Sequence, residues 1–238
     1  MIAKLDYRHT FPHPNDANEE GIVAFGGDLN PTRLYKAYRE GIFPWYSAGD
    51  PILWWSPDPR FILHLDDFKL RKSLKKRMKH FEVRFDTAFE QVLKECAAIH
   101  RPGQQGTWLQ PELIEAMSSL HALGQAHSVE AYYEGELVGG LYGVSVGAVF
   151  CGESMFAKKS DASKVAFAVL IEKLQEWGYK FVDAQVPTEH LKSLGAIEVY
   201  RDYFLEMLHT YRDTSVAEDA WKVYGSIKPG VNPNLEIE

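Results

Sequence analysis

The stretch from Glu134 to Phe156, EGELVGGLYGVSVGAVFCGESMF, constrains this chain more than any other. Glu134-Gly135-Glu136 signals a turn, and Leu137 to Val146 and Ala148 to Cys151 are apolar and β-branched. The pattern predicts two tightly connected strands ending in a loop that carries one carboxylate, Glu153. Gly139, Gly140, Gly143 and Gly147 place four glycines in nine residues. Glycine inside a strand marks a bulge or a close approach of backbone or ligand. The stretch therefore reads as a sheet opened around something, or else as a glycine-rich hairpin in an ordinary packed sheet.

At 238 residues, 45% hydrophobic and 25% charged, the chain has the composition of a soluble globular protein with ample material for a core. The net charge of −7 confines any nucleic-acid surface to a local patch. Cys96 and Cys151 are far apart and have no close metal-type neighbours in sequence, which argues against a disulfide framework or a zinc ribbon. The N-terminal stretch MIAKLDYRHTFPHP lacks an apolar signal region, and no window reaches the roughly 18 apolar residues of a membrane span. A cytoplasmic, monomeric protein without membrane attachment is expected.

Asn30 followed by Pro31 predicts a helix start, with Leu34, Ala37 and Tyr38 at helical spacing and Gly41 at the end. Phe43, Trp45, Tyr46, Trp54 and Trp55 then place five aromatic rings within thirteen residues. They read as a small aromatic core or as a stacking wall for a planar ligand such as a nucleobase. From Lys69 to Lys79 seven of eleven residues are basic. A helix there puts Lys72, Lys75, Lys76 and Lys79 on one face and Leu70, Leu74 and Met78 on another. Such a face is either simply solvated or suited to a phosphate backbone. Asp86 is expected to cap a helix running to His100, and Pro111 to open another ending before Gly124. A small domain, residues 1–105, is expected to hand over to a second, residues 106–238.

In that second part the reading gives a strand from His127, the hairpin, a helix from about Ser160 to Trp177, a strand from Tyr179 to Val186 and a short helix from Glu189. Two short strands are expected within Glu198 to Leu208, and a fraying tail after Asp213. This order resembles the acetyltransferase-like (GNAT-like) fold, in which two neighbouring strands splay apart. The expected class is α+β: a small N-terminal α/β domain plus a GNAT-like domain with a splayed mixed sheet. The pyrophosphate loop of coenzyme A users falls at AKKSDASKVAF, which contains no glycine. Coenzyme A is therefore not predicted, and no metal or other cofactor is expected.

Three polar groups are expected to converge on the gap. Asp183 and Gln185 alternate along a strand, so period two puts them on one face, opposite Glu153. An Asp within a strand as apolar as KFVDAQV is costly unless it is used or is paired with a backbone amide or an arginine. Two carboxylates and an amide suit a cationic acceptor and the ordering of an amine for attack. Leu141, Tyr142, Phe150, Met155 and Phe156 are candidates for an apolar pocket beside them, or equally for ordinary core.

The blocks GGDLNPTRLYKAYREGIFPWY, PILWWSPDPR, GTW, HSVEAYYEGELVGGLYGV, FCGESMF, DASK, DAQV and HLKSLGA together resemble the leucyl/phenylalanyl-tRNA–protein transferases, over roughly residues 8–208. The resemblance implies transfer of Leu or Phe, less readily Met, from aminoacyl-tRNA to an N-terminal Arg or Lys of a protein, marking it for N-end-rule degradation. It implies Trp45 and Trp108, with Tyr38 nearby, as contacts for the aminoacyl-adenosine end. It implies Leu141, Phe150 and Met155 as the pocket for the Leu or Phe side chain, and Glu153, Asp183 and Gln185 as the groups that hold and activate the amine. The basic run, Arg71, Lys72, Lys75, Lys76 and Lys79, matches the family's tRNA surface in character. Ala184 stands where the family often has Cys, and Leu141 where some members have Met. Cys151 reads as structural, not as a nucleophile. A coenzyme A-dependent acyltransferase and a non-catalytic tRNA-binding protein are the alternatives.

Overall fold

The computed structural model describes residues 2–8, 10–99 and 109–229. Two sheets are built from strands taken in order along the chain. The first contains β1 (Ala3–Leu5), β2 (Ile22–Gly26), β3 (Phe43–Pro44) and β4 (Leu53–Trp55), in the order β1-β2-β4-β3. Helix α1 (Pro31–Arg39) leaves this sheet as expected: the Asn30 side chain accepts a hydrogen bond from the Thr32 amide, and Pro31 sits at the first turn.

The second sheet begins earlier than the sequence pattern suggests. It contains β5 (Arg60–His64), β6 (Glu82–Phe85), β7 (Ala126–Tyr133), β8 (Glu136–Val146), β9 (Val149–Ala157), β10 (Phe181–Gln185) and β11 (Ile197–Val199), in the order β11-β5-β10-β9-β8-β7-β6. The sheets thus part between Trp55 and Arg60, well before the handover expected near residue 105. The intervening helices are α2 (Lys72–Met78), α3 (Phe89–Ala98), α4 (Pro111–Ala122), α5 (Ala162–Trp177), α6 (Glu189–Lys192) and α7 (Arg201–Tyr211).

Strand alternation divides the side chains of the large sheet between two cores. Tyr142, Val149, Cys151 and Phe181 join α1, α3, α4 and α7 on one face, while Leu141, Phe150 and Val182 join α2 and α5 on the other. The first core also takes in Leu34, Ala37, Tyr38 and Trp54, so the small sheet is packed into the body of the protein. The parallel β9–β10 pair is joined by the crossover helix α5. That order of hairpin, long helix and parallel strand is the acetyltransferase-like arrangement anticipated above.

Several local expectations are revised. Asp86 does not cap α3, whose N-cap is Ala88. It sits at φ 54° and turns its carboxylate to the Ser128 amide (2.8 Å) and His127 Nδ1 (2.8 Å). The second strand expected after Glu198 is helix α7, where Phe204, Leu205 and Leu208 repeat at helical spacing and are buried. The tail after Asp213 does not fray over its described part: Ile227 bridges Val83 and the Trp221 indole donates to the Tyr179 hydroxyl at 2.8 Å.

The hairpin glycines answer to packing. A Cβ at Gly139 would lie 2.5 Å from Ala162 Cβ, at the first turn of α5, and one at Gly143 would strike the Cys151 carbonyl oxygen. The sheet is indeed opened, but between β9 and β10 and not within the glycine-rich hairpin.

Candidate active site in the β9–β10 gap

Two bulges create the gap. β9 and β10 pair at Phe181↔Val149, Val182↔Phe150 and Asp183↔Cys151, and the ladder ends there among the described residues. On β9, Gly152 pairs with Gly143 and Ser154 with Tyr142, leaving Glu153 as an extra residue. On β10, Asp183 pairs with Ile62 and Gln185 with Phe61, leaving Ala184 as an extra residue. A bulge bends its strand and re-aims a side chain. Two facing bulges at the same level turn a parallel pair into a wedge, open at the C-terminal ends of both strands. The wedge encloses a cavity of about 390 Å³ lined by Phe43, Trp45, Leu141, Phe150, Met155 and Phe167, with Glu153, Gln185, Thr188 and His190 among the polar groups.

The bulge on β10 overturns the period-two argument for Asp183 and Gln185. Gln185 adopts φ 62°, a left-handed conformation that a side chain adopts at a cost, and this directs it into the cavity. Its Nε2 donates to Glu153 Oε1 at 2.5 Å across the gap. Asp183 points the other way, 1% exposed, and does not line the cavity. It accepts from Arg60 Nε (2.8 Å) and Nη2 (2.7 Å), and its Oδ1 also accepts the Gln185 amide at 3.0 Å. Arg60 is the residue that sequence reasoning missed. It is 1% exposed, with its guanidinium 4.9 Å from the Phe43 ring centre and 4.4 Å from that of Phe204. A signal was present: an arginine opening the apolar run RFILH is as costly unpaired as Asp183 is in its own strand.

Burial pushes the Glu153 carboxyl up to about 7, against the lowering influence of Tyr38 and Gln185. The buried Tyr38 hydroxyl stands behind Glu153 without a hydrogen bond of good geometry, and Tyr38 does not line the cavity. Burial also pushes the Tyr38 hydroxyl and the Cys151 thiol well up, which keeps both protonated and makes Cys151 a poor nucleophile.

The remaining candidates separate cleanly. Leu141, Phe150 and Met155 form one apolar wall of the cavity. Trp45, 40% exposed, stands at its rim and packs on Trp55 with ring centres 5.5 Å apart, whereas Trp54 is wholly buried in the core. The aromatic cluster is therefore both wall and core. Trp108 lies outside the described residues. Arg71, Lys72, Lys75, Lys76 and Lys79 are all exposed on or beside α2, while Leu74 and Met78 are buried. Arg77 is tied to Asp161 at 2.6 Å, at the start of α5.

This wedge, with an apolar wall and a carboxylate–amide pair at one level, sits in a chain with clear relatives. A profile of the leucyl/phenylalanyl-tRNA protein transferases matches residues 62–209, and one of the N-terminal domain of the same proteins matches residues 27–58. The chain is 67% identical over 210 residues to the leucyl/phenylalanyl-tRNA–protein transferase of Sulfurimonas denitrificans, covering 88% of this chain and 92% of that one. It is 56% identical to the protein of that name from Myxococcus xanthus, over 85% and 88% of the two chains. The chain belongs to the leucyl/phenylalanyl-tRNA–protein transferase family. Membership makes it an aminoacyltransferase. The two family profiles meet between residues 58 and 62, where the two sheets part. Among solved structures it is similar to the L-PGS from Bacillus licheniformis, with 16% identity and a TM-score of 0.39 over 57% of this chain and 48% of that one. It is also similar to a GCN5-related N-acetyltransferase from Kribbella flavida, with 9% identity and a TM-score of 0.34 over 69% and 59%. Among the described residues no helix is long and apolar enough to cross a membrane.

Proposed function

We propose that the chain moves Leu or Phe, and less readily Met, from aminoacyl-tRNA to the N-terminal Arg or Lys of a protein, which marks that protein for N-end-rule degradation. The observation that carries this reading, in a chain of this family, is the Glu153–Gln185 pair facing the apolar wall of one cavity. Leu141, Phe150, Met155 and Phe167 receive the donor side chain, and Trp45 offers a ring for the terminal adenosine. Glu153, once ionised, pairs with the guanidinium or ammonium of the acceptor.

The donor ester is already activated, so the chain's task is to position the amine and provide a path for its proton. The acceptor nitrogen attacks the ester carbonyl, the C–N bond forms, and the bond to the ribose oxygen breaks. The Gln185 side-chain oxygen accepts the amine N–H. Asp183 acts through Gln185: with Arg60 it fixes the strained turn that presents the amide. The ribose oxygen leaves with the proton that the amine gives up. The exposed lysines of α2 serve the tRNA backbone. At the N-terminus of α5, where an acetyltransferase would seat a pyrophosphate, stands the carboxylate of Asp161, held by Arg77 and Lys164.

The test is transfer of radiolabelled Leu or Phe from charged tRNA to a peptide beginning with Arg, beside the same peptide beginning with Ala. Label on the Arg peptide alone is expected. Absence of label on both, with tRNA bound, would sink the reading.

A further inference from the structure

The transfer reading needs a grip only on the acceptor's first residue, yet the wedge offers more. β9 continues from Gly152 to Ala157 after its ladder with β10 has ended, and over this run it pairs with β8 on its other side. Alternate residues of a strand turn their main-chain N–H and C=O away from a given neighbour. The side of β9 that turns from β8 over this run looks into the cavity, whose opposite wall is Val182, Ala184, Gln185 and Val186 of the bulged β10. The strands diverge because both are bulged, β9 at Glu153 and β10 at Ala184, not because β9 stops. A strand edge of this kind is a template for another extended chain.

We propose that the acceptor polypeptide inserts its first three or four residues into the wedge as an additional strand, parallel to β9, and is recognised through its main chain as well as its N-terminal side chain. The occupant follows from charge and direction. Glu153 stands at the deep end of the open run, where a basic first residue would be held, and the run leads from there to Ala157, which is exposed. A chain whose N-terminus lies at Glu153 must leave toward Ala157, in the same direction as β9. Main-chain N–H and C=O groups at about 3.3 Å per residue are what such an edge pairs with, and of the two substrates only the polypeptide provides them. The inference rests on the transfer reading. It adds that sequence-independent contacts reach past the first residue, with the intervening side chains free to vary.

The experiment uses the full chain, leucyl-tRNA and a hexapeptide acceptor beginning with Arg. Single backbone esters replace the amide between residues 2 and 3, between residues 3 and 4, or between residues 5 and 6. The bond between residues 1 and 2 is left intact, so that the attacking amine keeps its basicity. An ester deletes one N–H donor and weakens one carbonyl acceptor without altering a side chain. Loss of one neutral hydrogen bond corresponds to a fall of roughly threefold to tenfold in acceptor kcat/KM. That fall is expected for at least one of the two inner esters, carried by KM, with the 5–6 ester behaving as the parent. In parallel, kcat/KM is expected to rise stepwise from arginine amide to the tetrapeptide and then to level off. Inner esters that all react like an active parent peptide, with arginine amide as good as the hexapeptide, would overturn strand addition and leave the transfer reading standing. An inactive parent peptide would overturn both.

Discussion

On the proposed function, the cavity's chemistry turns on the protonation of one carboxyl. Glu153 is pushed up to about 7 because it is enclosed with little compensating charge. In the free enzyme it is neutral below that pH and anionic above it, so only above it can it pair with a cation. Acceptor kcat/KM is expected to rise with pH through about 7 and to exceed the rise due to the acceptor's own amine. Glu153→Gln should remove that extra arm and lower kcat/KM for an Arg peptide at pH 8 by roughly tenfold to a hundredfold, with KM for charged tRNA unchanged. Paired pH profiles of the two enzymes decide it. The same group gives a stability signature of opposite sense. Its folded-state value lies above the ordinary carboxyl range, so ionisation costs stability, and the wild type should lose stability relative to Glu153→Gln as pH rises from about 4.5 through about 7. On the same reading, Asp183 acts through its partner instead. Removing one member of its buried pair with Arg60 should cost about 3–5 kcal/mol. Asp183→Ala and Arg60→Ala should therefore lower the melting temperature together with kcat, and a variant of either residue that keeps full turnover and full stability would refute the positioning role. The sequence pattern marks both Asp183 and Gln185, because a polar pair in an apolar strand is conspicuous. It cannot divide them between cavity and core, because a bulge and a left-handed φ at Gln185 break the alternation on which strand reading depends.

At the scale of elements, helix boundaries with local signals are legible in the sequence: Asn30-Pro31 for α1, Pro111 for α4 and Gly178, in a left-handed conformation, for the end of α5. Elements defined by distant partners are not. β5 reads as a loop-flanked apolar run of five residues and finds its place only between β10 and β11, more than 100 residues further along the chain. Helix α7 reads as strand because its tyrosine- and phenylalanine-rich start favours either state locally, and docking of Phe204 against Phe181 and Arg60 decides between them. Helix α2 needs no tertiary information, since its lysines and its Leu74 and Met78 separate by helical period alone. Reversing Lys75 and Lys76 together to Glu should raise KM for charged tRNA severalfold at low salt, flatten the salt dependence by about one unit of slope for each phosphate no longer neutralised, and leave kcat at saturating tRNA unchanged. An unaltered salt slope would move the tRNA surface elsewhere.

Across the whole molecule, the two sheets share one core through Tyr38, Trp54 and the face of β8 and β9 that carries Tyr142 and Cys151. The described tail closes the opposite side. The Trp221 ring stacks on His127 at 4.0 Å and on Phe150 at 5.4 Å, and touches Phe85 and Trp177. Phe150 is itself part of the cavity wall. Trp221→Ala should cost roughly 3 kcal/mol and weaken discrimination among donor side chains, measured as the ratio of Leu to Phe transfer by the folded variant. Trp221 does not itself line the cavity. On the proposed function, the choice of donor would therefore be held in part by a ring that never meets it, and a fault at residue 221 would show as an error of selection with every cavity-lining residue still in place.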